Sequence, residues 1–373
     1  MATLEFSADR NALFAAIHKI QGVVDKKSTS NILAHILVES LPGNDKVRLL
    51  GTDYDVTILA EVSAKVTKPG SAAINGKSLF DIVKNLDSGE VTLKALPNDW
   101  IDLKAGRSAF KLAGISPADF PEAKLPEIGA WLELPRVAVR DLFEKTAFSM
   151  SSDEARMNLN GVFFRVNPST GEMQGVSTDG HRLSVAVAEC PKSFGAEVSC
   201  IVHKKGVTEI KRLLDSADEK IRIGFGKGAV LFAGEGATYV VRQIEDAFPD
   251  FRRVIPQGET PVVTVSREKL ARAVKKIAIL TNSKTYVVKL SLAGGLISVS
   301  ASNPDYGEGR DEVDAEYSGP ALGVGFNYTY LLDVLSALRG EAVEIRVADE
   351  FSPAVVTSPS EPGAVFVVMP MRV

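Results

Sequence analysis

The chain has 373 residues, of which 45% are hydrophobic and 24% are charged, and its formal net charge is −4. This is the composition of a globular protein of two or three domains, and the negative charge argues against a general nucleic-acid binder. No apolar run is long enough to span a bilayer and MATLEFSADR has no signal-peptide layout, so we expect a cytoplasmic protein. Two cysteines and four scattered histidines predict neither a disulfide framework nor a metal site, and no cofactor is expected.

The first third of the chain begins with a strand and an amphipathic helix between Leu4 and Val23. Alternating apolar and polar residues then predict three strands, a second helix around Leu86 and three further strands. The predicted strands are 32–40, 46–53, 55–66, 91–96, 100–106 and 108–115. The proline-containing stretch Phe120–Ile128 is typical of a linker to the next unit.

The same order of elements recurs twice more, and its clearest copy is Val262–Asn282. There a short strand leads to Ser266, a good N-cap, and to a helix with Leu270, Val274 and Ile277 on one face. This face must pack against a sheet or a second helix.

Two series of leucines measure the period of the repeat. In the first helices, 129 and 128 residues separate the leucines that we align, Leu13, Leu142 and Leu270. In the second helices the separations are 128 and 124 residues, for Leu86, Leu214 and Leu338. Such a period is the length of a domain. We therefore predict three like domains, 1–128, 129–255 and 256–373, of the α+β class, with antiparallel sheets and two helices on one face.

The most enzyme-like stretch is TDGHRL, in which Asp179, His181 and Arg182 bring together a carboxylate, an imidazole and a guanidinium. A hydrolase would also need a nucleophile, and the sequence contains no nucleophile, zinc or phosphate-loop motif. Thr52-Asp53 and Ser302-Asn303 stand at equivalent places in the other units, which favours a structural Asx turn in all three. An enzyme is one alternative interpretation, and a repeat scaffold that binds only proteins is another.

Basic residues gather on the repeated helices although the chain as a whole is acidic. They are Lys204, Lys205, Lys211 and Arg212 on one helix, and Lys269, Arg272, Lys275 and Lys276 on another. For one helix a solvated face is the simpler interpretation. Recurrence on equivalent helices favours a surface that attracts phosphates.

Five segments carry a resemblance to a known family. They are LNGVFF (Leu159–Phe164), TDGHRL (Thr178–Leu183), FPDFRRVIP (Phe248–Pro256), GFNYTYLLDVLSAL (Gly325–Leu338) and VVMPMRV (Val367–Val373). Over its entire length the chain resembles the bacterial DNA polymerase sliding clamps, the beta subunits of the replicative polymerase. The resemblance implies the DNA clamp fold of three like domains. It also implies two chains joined head to tail as a ring dimer, with helices lining the hole and sheets outside.

The resemblance also implies a function and partners. The protein would be a non-catalytic processivity factor that encircles double-stranded DNA without sequence preference and slides along it. It would bind the polymerase alpha subunit, the clamp loader and other clamp-binding proteins through a hydrophobic peptide pocket. It would not bind a membrane. Diffuse phosphate contacts suit sliding, because a tight grip on the phosphates would oppose movement.

Three sets of site residues follow from the resemblance. The peptide pocket between the second and third domains would comprise Leu159, Thr178, Gly180, His181, Arg182, Leu183, Pro249, Arg253, Val254, Asn327, Tyr330, Val367, Val368, Met369, Pro370, Met371 and Arg372. The dimer junction would join two pairs of apolar residues, Phe110 with Leu112 and Ile279 with Leu280, and would set Lys77 opposite Asp305 and Glu308. The DNA-facing residues would be Lys27, Arg156, Lys204, Lys205, Lys211, Arg212, Lys269, Arg272 and Lys276.

The chain departs from the family pattern at two places. Thr285-Tyr286 stands where an aromatic-basic pair is expected, which predicts a shifted pocket wall. In one loop expected to touch DNA, less DNA-friendly residues occur, namely Asp153, Met157 and Asn158. We therefore expect Arg156 to make the DNA contact of that loop.

The apolar C-terminus, Val367–Val373, is expected to be both a strand and the rim of the pocket. The strand should end at Val368, and Pro370 should prevent further ladder pairing because proline has no N–H to donate.

Overall fold

The structure is a computed structural model that describes residues 4–24, 31–43, 45–87, 89–122, 125–129, 131–192, 197–215, 218–258, 260–281 and 286–372. The chain divides into two compact units, Met1–Val137 with Lys205–Gln243 and Ala138–Lys204 with Ile244–Val373. This division passes through the middle repeat, so the three predicted domain boundaries stay a prediction. Within the described residues, no helix is long and apolar enough to cross a membrane.

In the described residues each repeat has the same ten elements in the same order: a strand, a helix, four strands, a helix and three strands. The first repeat comprises β1 Glu5–Asp9, α1 Arg10–Ile20, β2 His35–Ser40, β3 Lys46–Thr52, β4 Val56–Lys68, β5 Ser71–Asn75, α2 Gly76–Asn85, β6 Glu90–Ala95, β7 Trp100–Ala105 and β8 Ser108–Ile115. The middle repeat comprises β9 Trp131–Pro135, α3 Arg136–Thr146, β10 Gly161–Asn167, β11 Glu172–Thr178, β12 Arg182–Glu189, β13 Val198–His203, α4 Lys204–Leu214, β14 Lys220–Gly226, β15 Ala229–Gly234 and β16 Ala237–Arg242. The third repeat comprises β17 Val262–Ser266, α5 Arg267–Ala278, β18 Val287–Ala293, β19 Leu296–Asn303, β20 Gly307–Glu316, β21 Leu322–Asn327, α6 Tyr328–Ala337, β22 Ala342–Arg346, β23 Ala354–Thr357 and β24 Ala364–Val368.

An arginine begins the first helix of every repeat and ties it to the end of the second helix. Its guanidinium donates to a carbonyl near the C-terminus of that helix, in the pairs Arg10–Lys84, Arg136–Leu214 and Arg267–Leu335. The last carbonyls of a helix have no partner inside it, so these bonds satisfy them and hold the two helices together.

These arginines correct the predicted alignment of the first helices. Leu13 and Leu270 are each the fourth residue of their helix, and the fourth residue of α3 is Val139. The predicted match, Leu142, lies one turn later. Val139 and Leu142 are 0% and 2% exposed, because residues three positions apart share the buried face of a helix.

The helix starts agree only partly with the prediction. Ser266 is the N-cap of α5 but makes no side-chain cap bond. Asp9 does cap α1, since its Oδ1 accepts from two backbone N–H groups of the first turn at 2.9 and 3.0 Å. Helix α4 begins at Lys204, directly after β13.

The first unit contains an antiparallel sheet of twelve strands in the order β1-β6-β7-β8-β5-β2-β3-β4-β16-β15-β14-β9. Strand β4 has two partners besides β3: its end pairs with β1, and its start pairs with β16. The second register runs from Val56 opposite Val241 to Ala60 opposite Ala237. Tyr239, in the middle of β16, is 1% exposed, so this contact between repeats is part of the core.

The second unit repeats this arrangement in a sheet ordered β13-β10-β11-β12-β24-β23-β22-β17-β20-β19-β18-β21. Here β12 takes the place of β4 and pairs with β24, from Arg182 opposite Val368 to Ala186 opposite Ala364. Phe366 in β24 is 0% exposed and belongs to the same apolar core as α5 and α6. The predicted α+β fold with antiparallel sheets is confirmed.

A further apolar cluster involves the segment after β8. Phe120, which the sequence assigned to a linker, is 7% exposed and packs with Leu37, Leu50 and Leu59. The predicted linker therefore begins within the core.

Candidate functional site

The turn between β11 and β12, in the second unit, is built by its own polar side chains. The Asp179 carboxylate accepts from the backbone N–H groups of His181 and Arg182 at 2.9 and 3.0 Å. Thr178 Oγ1 donates to the Arg182 carbonyl at 2.6 Å, and Gly180 has a φ of +89°, which glycine adopts readily. Asp53 accepts in the same way from two N–H groups, and Asn303 from one. The predicted Asx turn is confirmed in all three repeats.

Arg182 anchors this turn to α6. Its side chain is 11% exposed, with Nε 3.1 Å from Asp179 Oδ2 and Nη1 2.5 Å from Asp333 Oδ2. Its guanidinium carbon lies 4.4 Å from the ring centroid of Tyr330. Burial, then the nearby Asp179 carboxylate, raises the pKa of Tyr330. Arg182 is thus engaged on every side, which suits a structural anchor better than a group that binds substrate.

The chain terminus lies beside the turn. Leu183 of β12 is opposite Val367 of β24, and the Met369 N–H donates to the His181 carbonyl at 2.9 Å. The strand ends at Val368, as predicted. After Pro370 the described residues form an isolated bridge and not a ladder, as predicted, because only the Met371 N–H donates to β21, to the Gly325 carbonyl at 2.8 Å.

Under the turn lies an apolar cluster that includes Leu183 and Val367, which are 2% and 1% exposed. Phe251 belongs to the same cluster, and Phe248 packs on it, with its ring 5.2 Å from that of Phe163. These side chains form the apolar base of the predicted peptide pocket. Val368 is 0% exposed in the core of the third repeat, so its side chain does not line the pocket.

Beside this cluster is a cavity of about 1020 Å³ that the segment after FPDFRRVIP borders. Three predicted residues line it, namely Arg253, Val254 and Met369. Val254 is 46% exposed and so presents an apolar side chain to the cavity. Sequence reasoning missed the other wall, which includes Gln257, Arg346, Pro353, Val355 and Val365. In the sequence, only the FPDFRRVIP motif, which directly precedes Gln257, indicated that this part of the chain contributes to the pocket.

Three other predicted pocket residues, Leu159, Pro249 and Asn327, belong to the same unit. Pro249 lines a separate cavity of about 300 Å³, together with Phe163 and Phe248. Leu159 is 8% exposed, and Asn327 caps α6 by accepting from the Thr329 N–H at 2.9 Å. In the described ranges, no group of three or more His, Cys, Asp or Glu could hold a metal ion.

Comparison with known proteins identifies the family. Three family models match the chain: the DNA polymerase III beta subunit N-terminal domain at residues 4–126, the central domain at 133–250 and the C-terminal domain at 252–372. The chain belongs to the beta sliding clamp family. The beta sliding clamp of Caulobacter vibrioides is 32% identical over 99% of this chain and 100% of its own length. That of Escherichia coli K12 is 30% identical over the same shares.

Solved structures of the family agree with the fold. A crystal structure of the Caulobacter crescentus beta sliding clamp superposes with a TM-score of 0.94 at 32% identity and covers 100% of both chains. The DNA polymerase III beta subunit of Pseudomonas aeruginosa gives a TM-score of 0.94 at 31% identity, over 99% of this chain and 100% of that one. The protein therefore has the three-domain DNA clamp fold and is a non-catalytic processivity subunit of DNA polymerase III.

Three of the predicted junction residues lie on strand edges of this clamp, Phe110 and Leu112 on β8 and Glu308 on β20. Among the described strands, β8 pairs with β7 along its length but with β5 only at Gly114 and Ile115. Phe110 is 36% exposed on that edge. Likewise β20 pairs fully with β19 but meets β17 only through Ala315 and Glu316. Both strands thus have a free stretch of backbone for another strand.

The apolar residues after α5 lie near the free stretch of β20. Ile279 is 79% exposed, and a Cβ at Gly309 of β20 would be 2.6 Å from Leu280 Cδ1. The polar members of the set, Lys77, Asp305 and Glu308, are all exposed.

Of the predicted DNA-facing residues, several are paired with carboxylates. Lys205 Nζ is 2.6 Å from Asp53 Oδ2, and Arg212 Nη1 is 2.7 Å from Glu209 Oε1. Lys276 pairs with Asp311 of β20. Other members of the set are fully or partly accessible, namely Lys204, Lys211, Lys269 and Arg272. Lys27 lies outside the described residues.

The residues that depart from the family pattern near Arg156 lie at the surface or bond to neighbouring backbone. Arg156 Nε is 3.0 Å from Asp153 Oδ2, and the Arg156 side chain is 44% exposed. Met157 is 63% exposed, and Asn158 Nδ2 donates to the Ala247 carbonyl at 3.1 Å. Thr285 lies outside the described residues.

Tyr286, the residue after Thr285, packs edge-to-face on Tyr328, with ring centroids 5.9 Å apart. The shift of the pocket wall stays a prediction.

Proposed function

We propose that two copies of this protein close head to tail into a ring that encircles duplex DNA and slides along it. The ring tethers the polymerase alpha subunit, the clamp loader and other proteins that carry a clamp-binding peptide. We place this activity in the cytoplasm, where bacterial DNA is replicated. The proposal rests on one observation. Strands from neighbouring repeats pair twice in the same way, β16 with β4 and β24 with β12. The corresponding strands β8 and β20 both keep a free edge among the described residues.

The two internal contacts have matching registers. In the first, Tyr239 of β16 is opposite Ile58 of β4, and in the second, Phe366 of β24 is opposite Ser184 of β12. If β8 of one copy paired with β20 of another in the same register, Phe110 would lie opposite Gly309. A heterologous contact of this kind gives a closed ring when its rotation closes, and it would cover both free edges.

The inner face of the proposed junction is apolar. Tyr239 and Phe366 are 1% and 0% exposed inside their contacts, whereas Phe110 is 36% exposed in the single chain. Phe148, two residues after α3, lies 5.9 Å from Phe366 between ring centroids. The matching residue after α5 is Ile279. It would cover Phe110 of the second copy as Phe148 covers Phe366.

The outer face carries charges where the internal contacts carry uncharged residues. Inside the chain Val240 is opposite Thr57, and Val367 is opposite Leu183. The same register sets Lys111 of β8 opposite Glu308 of β20. Opposite charges on facing strands attract, so salt should weaken the proposed junction.

A second ion pair follows from the helices. Lys205 is the second residue of α4 and pairs with Asp53, which stands in the turn before β4. Lys77 is the second residue of α2. In the proposed junction it would face the turn before β20, which contains Asp305. Lys77 and Asp305 are both exposed in the single chain.

DNA would be held by enclosure. Lys269 and Arg272 project from the exposed side of α5, while Lys205, Arg212 and Lys276 are paired with carboxylates of the same chain. A hole lined by few unpaired charges binds phosphates weakly and permits sliding. Partner peptides would bind over the Leu183 and Val367 cluster, where Val254 and Met369 offer an adaptable apolar surface.

A charge swap tests the register. Light scattering at micromolar concentration should give about twice the chain mass of 40.0 kDa for the wild type. K111E should weaken the dimer about five- to thirtyfold, from about 1–2 kcal/mol over two junctions. K111E combined with E308K should restore it, because the pair is recreated in reverse. A monomeric wild type contradicts the ring, and a double variant as weak as K111E contradicts the register.

A further inference from the structure

Both internal contacts between repeats are fastened by an ion pair on the helix side of the sheet. In the first unit, Lys19 Nζ of α1 lies 3.1 Å from Glu235 Oε2 and donates to the Glu235 carbonyl at 2.7 Å. Glu235 is at the tip of the hairpin between β15 and β16. The pair therefore joins the first helix of one repeat to the last hairpin of the next.

The second unit has the same pair in a more buried form. Lys145 Nζ of α3 lies 2.7 Å from Glu361 Oε2, in the loop between β23 and β24, and the side chains are 9% and 13% exposed. Burial alone would lower the pKa of Lys145, but hydrogen bonds to Asp141 and Glu361 outweigh it and raise this pKa. Lys19 and Lys145 are both the tenth residue of their helix. We call this pair the hairpin lock.

The third repeat keeps the lysine but gives it another partner. Lys276 is the tenth residue of α5, and its ammonium pairs with Asp311 of β20 in the same repeat. The positions that match Asp311 are Ala60 in β4 and Ala186 in β12, which bear no charge. The counter-charge has thus moved from the neighbouring hairpin to the lysine's own strand.

The hairpin that would face Lys276 in the junction has no acidic residue at its tip. It joins β7 to β8, and its tip is Gly106-Arg107, with Gly106 at the place that Glu235 occupies in the first lock. Arg107 is exposed and has the same charge as Lys276.

We propose that this chain omits the hairpin lock from the junction between two copies, and that Asp311 replaces it by holding Lys276 within its own repeat. The inference rests on the proposed head-to-tail ring. Its consequence is that the two internal contacts are fastened by a lysine-to-hairpin ion pair, while the junction that must open to admit DNA is not. The residues at 106 and 311 together leave this ion pair out of the junction.

Building the missing lock tests the proposal. D311A gives β20 the alanine of the other repeats and releases Lys276, and G106E supplies the carboxylate. Gly106 has a φ of +54° and Glu235 a φ of +46°, so glutamate is tolerated in this backbone conformation. D311A/G106Q is the matched control, because it has the same backbone strain and the same size without the charge.

The measurement is the dimer dissociation constant of the full-length protein, by subunit exchange between fluorescently labelled copies. D311A/G106E should bind up to about fivefold more tightly per junction than D311A/G106Q, as partly exposed ion pairs do. The difference should vanish near 1 M salt, where the screening length is about 3 Å. Equal constants for the two variants, or a difference that salt does not remove, overturn the lock. A wild type and variants that all stay monomeric overturn the ring itself.

Discussion

Truncating Phe110 should weaken the ring by an amount that the structure allows one to calculate. Phe110 is 36% exposed in the single chain, while its counterparts Tyr239 and Phe366 are 1% and 0% exposed. A phenylalanine side chain has about 200 Å² of surface, so closing one junction removes about 70 Å² from water. At 25 cal/mol per Å² this contributes about 1.8 kcal/mol per junction.

A ring of two chains has two such junctions, so F110A should destabilise the dimer by about 3.6 kcal/mol and raise its dissociation constant about 400-fold. Sedimentation from nanomolar to micromolar concentration measures this constant. The monomer should unfold at nearly the same temperature, because Phe110 is on an exposed edge.

Phe351, which is 70% exposed in a loop, provides the matched control. F351A should dimerise like the wild type. If F110A also dimerises like the wild type, Phe110 is not buried between copies and the proposed register is wrong.

Three further predictions concern the peptide site, the DNA and the buried thiol. Deleting Met369–Val373 should abolish binding of a clamp-binding peptide in calorimetry while the dimer persists, since β24 ends before the deletion; undiminished binding would exclude this pocket. Clamps loaded on closed circular DNA should survive high salt and be lost when the circle is cut, because a topological link is indifferent to ionic strength; equal loss from circular and linear DNA would argue for phosphate contacts instead. Burial raises the pKa of the Cys200 thiol to about 12, so a thiol reagent at pH 8 should modify Cys200 only after unfolding, and rapid modification of the folded protein would contradict this.

Several features of the fold could be predicted because they depend on neighbours in the sequence. Asp179 closes its turn by accepting from N–H groups two and three residues away. Along each strand, successive residues lie on opposite faces of the sheet, so the alternation of apolar and polar residues predicts which face is buried. The three-domain period follows from the same local patterns repeated at domain length. The resemblance added the family, which the comparisons bear out over the whole chain.

The errors arose where local patterns are degenerate. Val139 and Leu142 both lie on the buried face of α3, so apolar spacing alone could not choose between them. Neighbouring strand residues diverge in the same way: Val367 belongs to the cluster under the turn, and Val368 to the core of the third repeat. Phe120 looked like a linker residue because its partners, Leu37, Leu50 and Leu59, are distant in the chain.

Pairings between distant residues were decided only by the tertiary structure. Lys276, Lys19 and Lys145 share the tenth position of their helices, yet Lys276 pairs with its own strand and the other two pair with the hairpin of another repeat. The sequence by itself determined the three repeats and their helices, because hydrogen bonds and apolar faces within a few residues specify them. Which strands meet, and which charge neutralises which, depends on registers set by packing across more than a hundred residues.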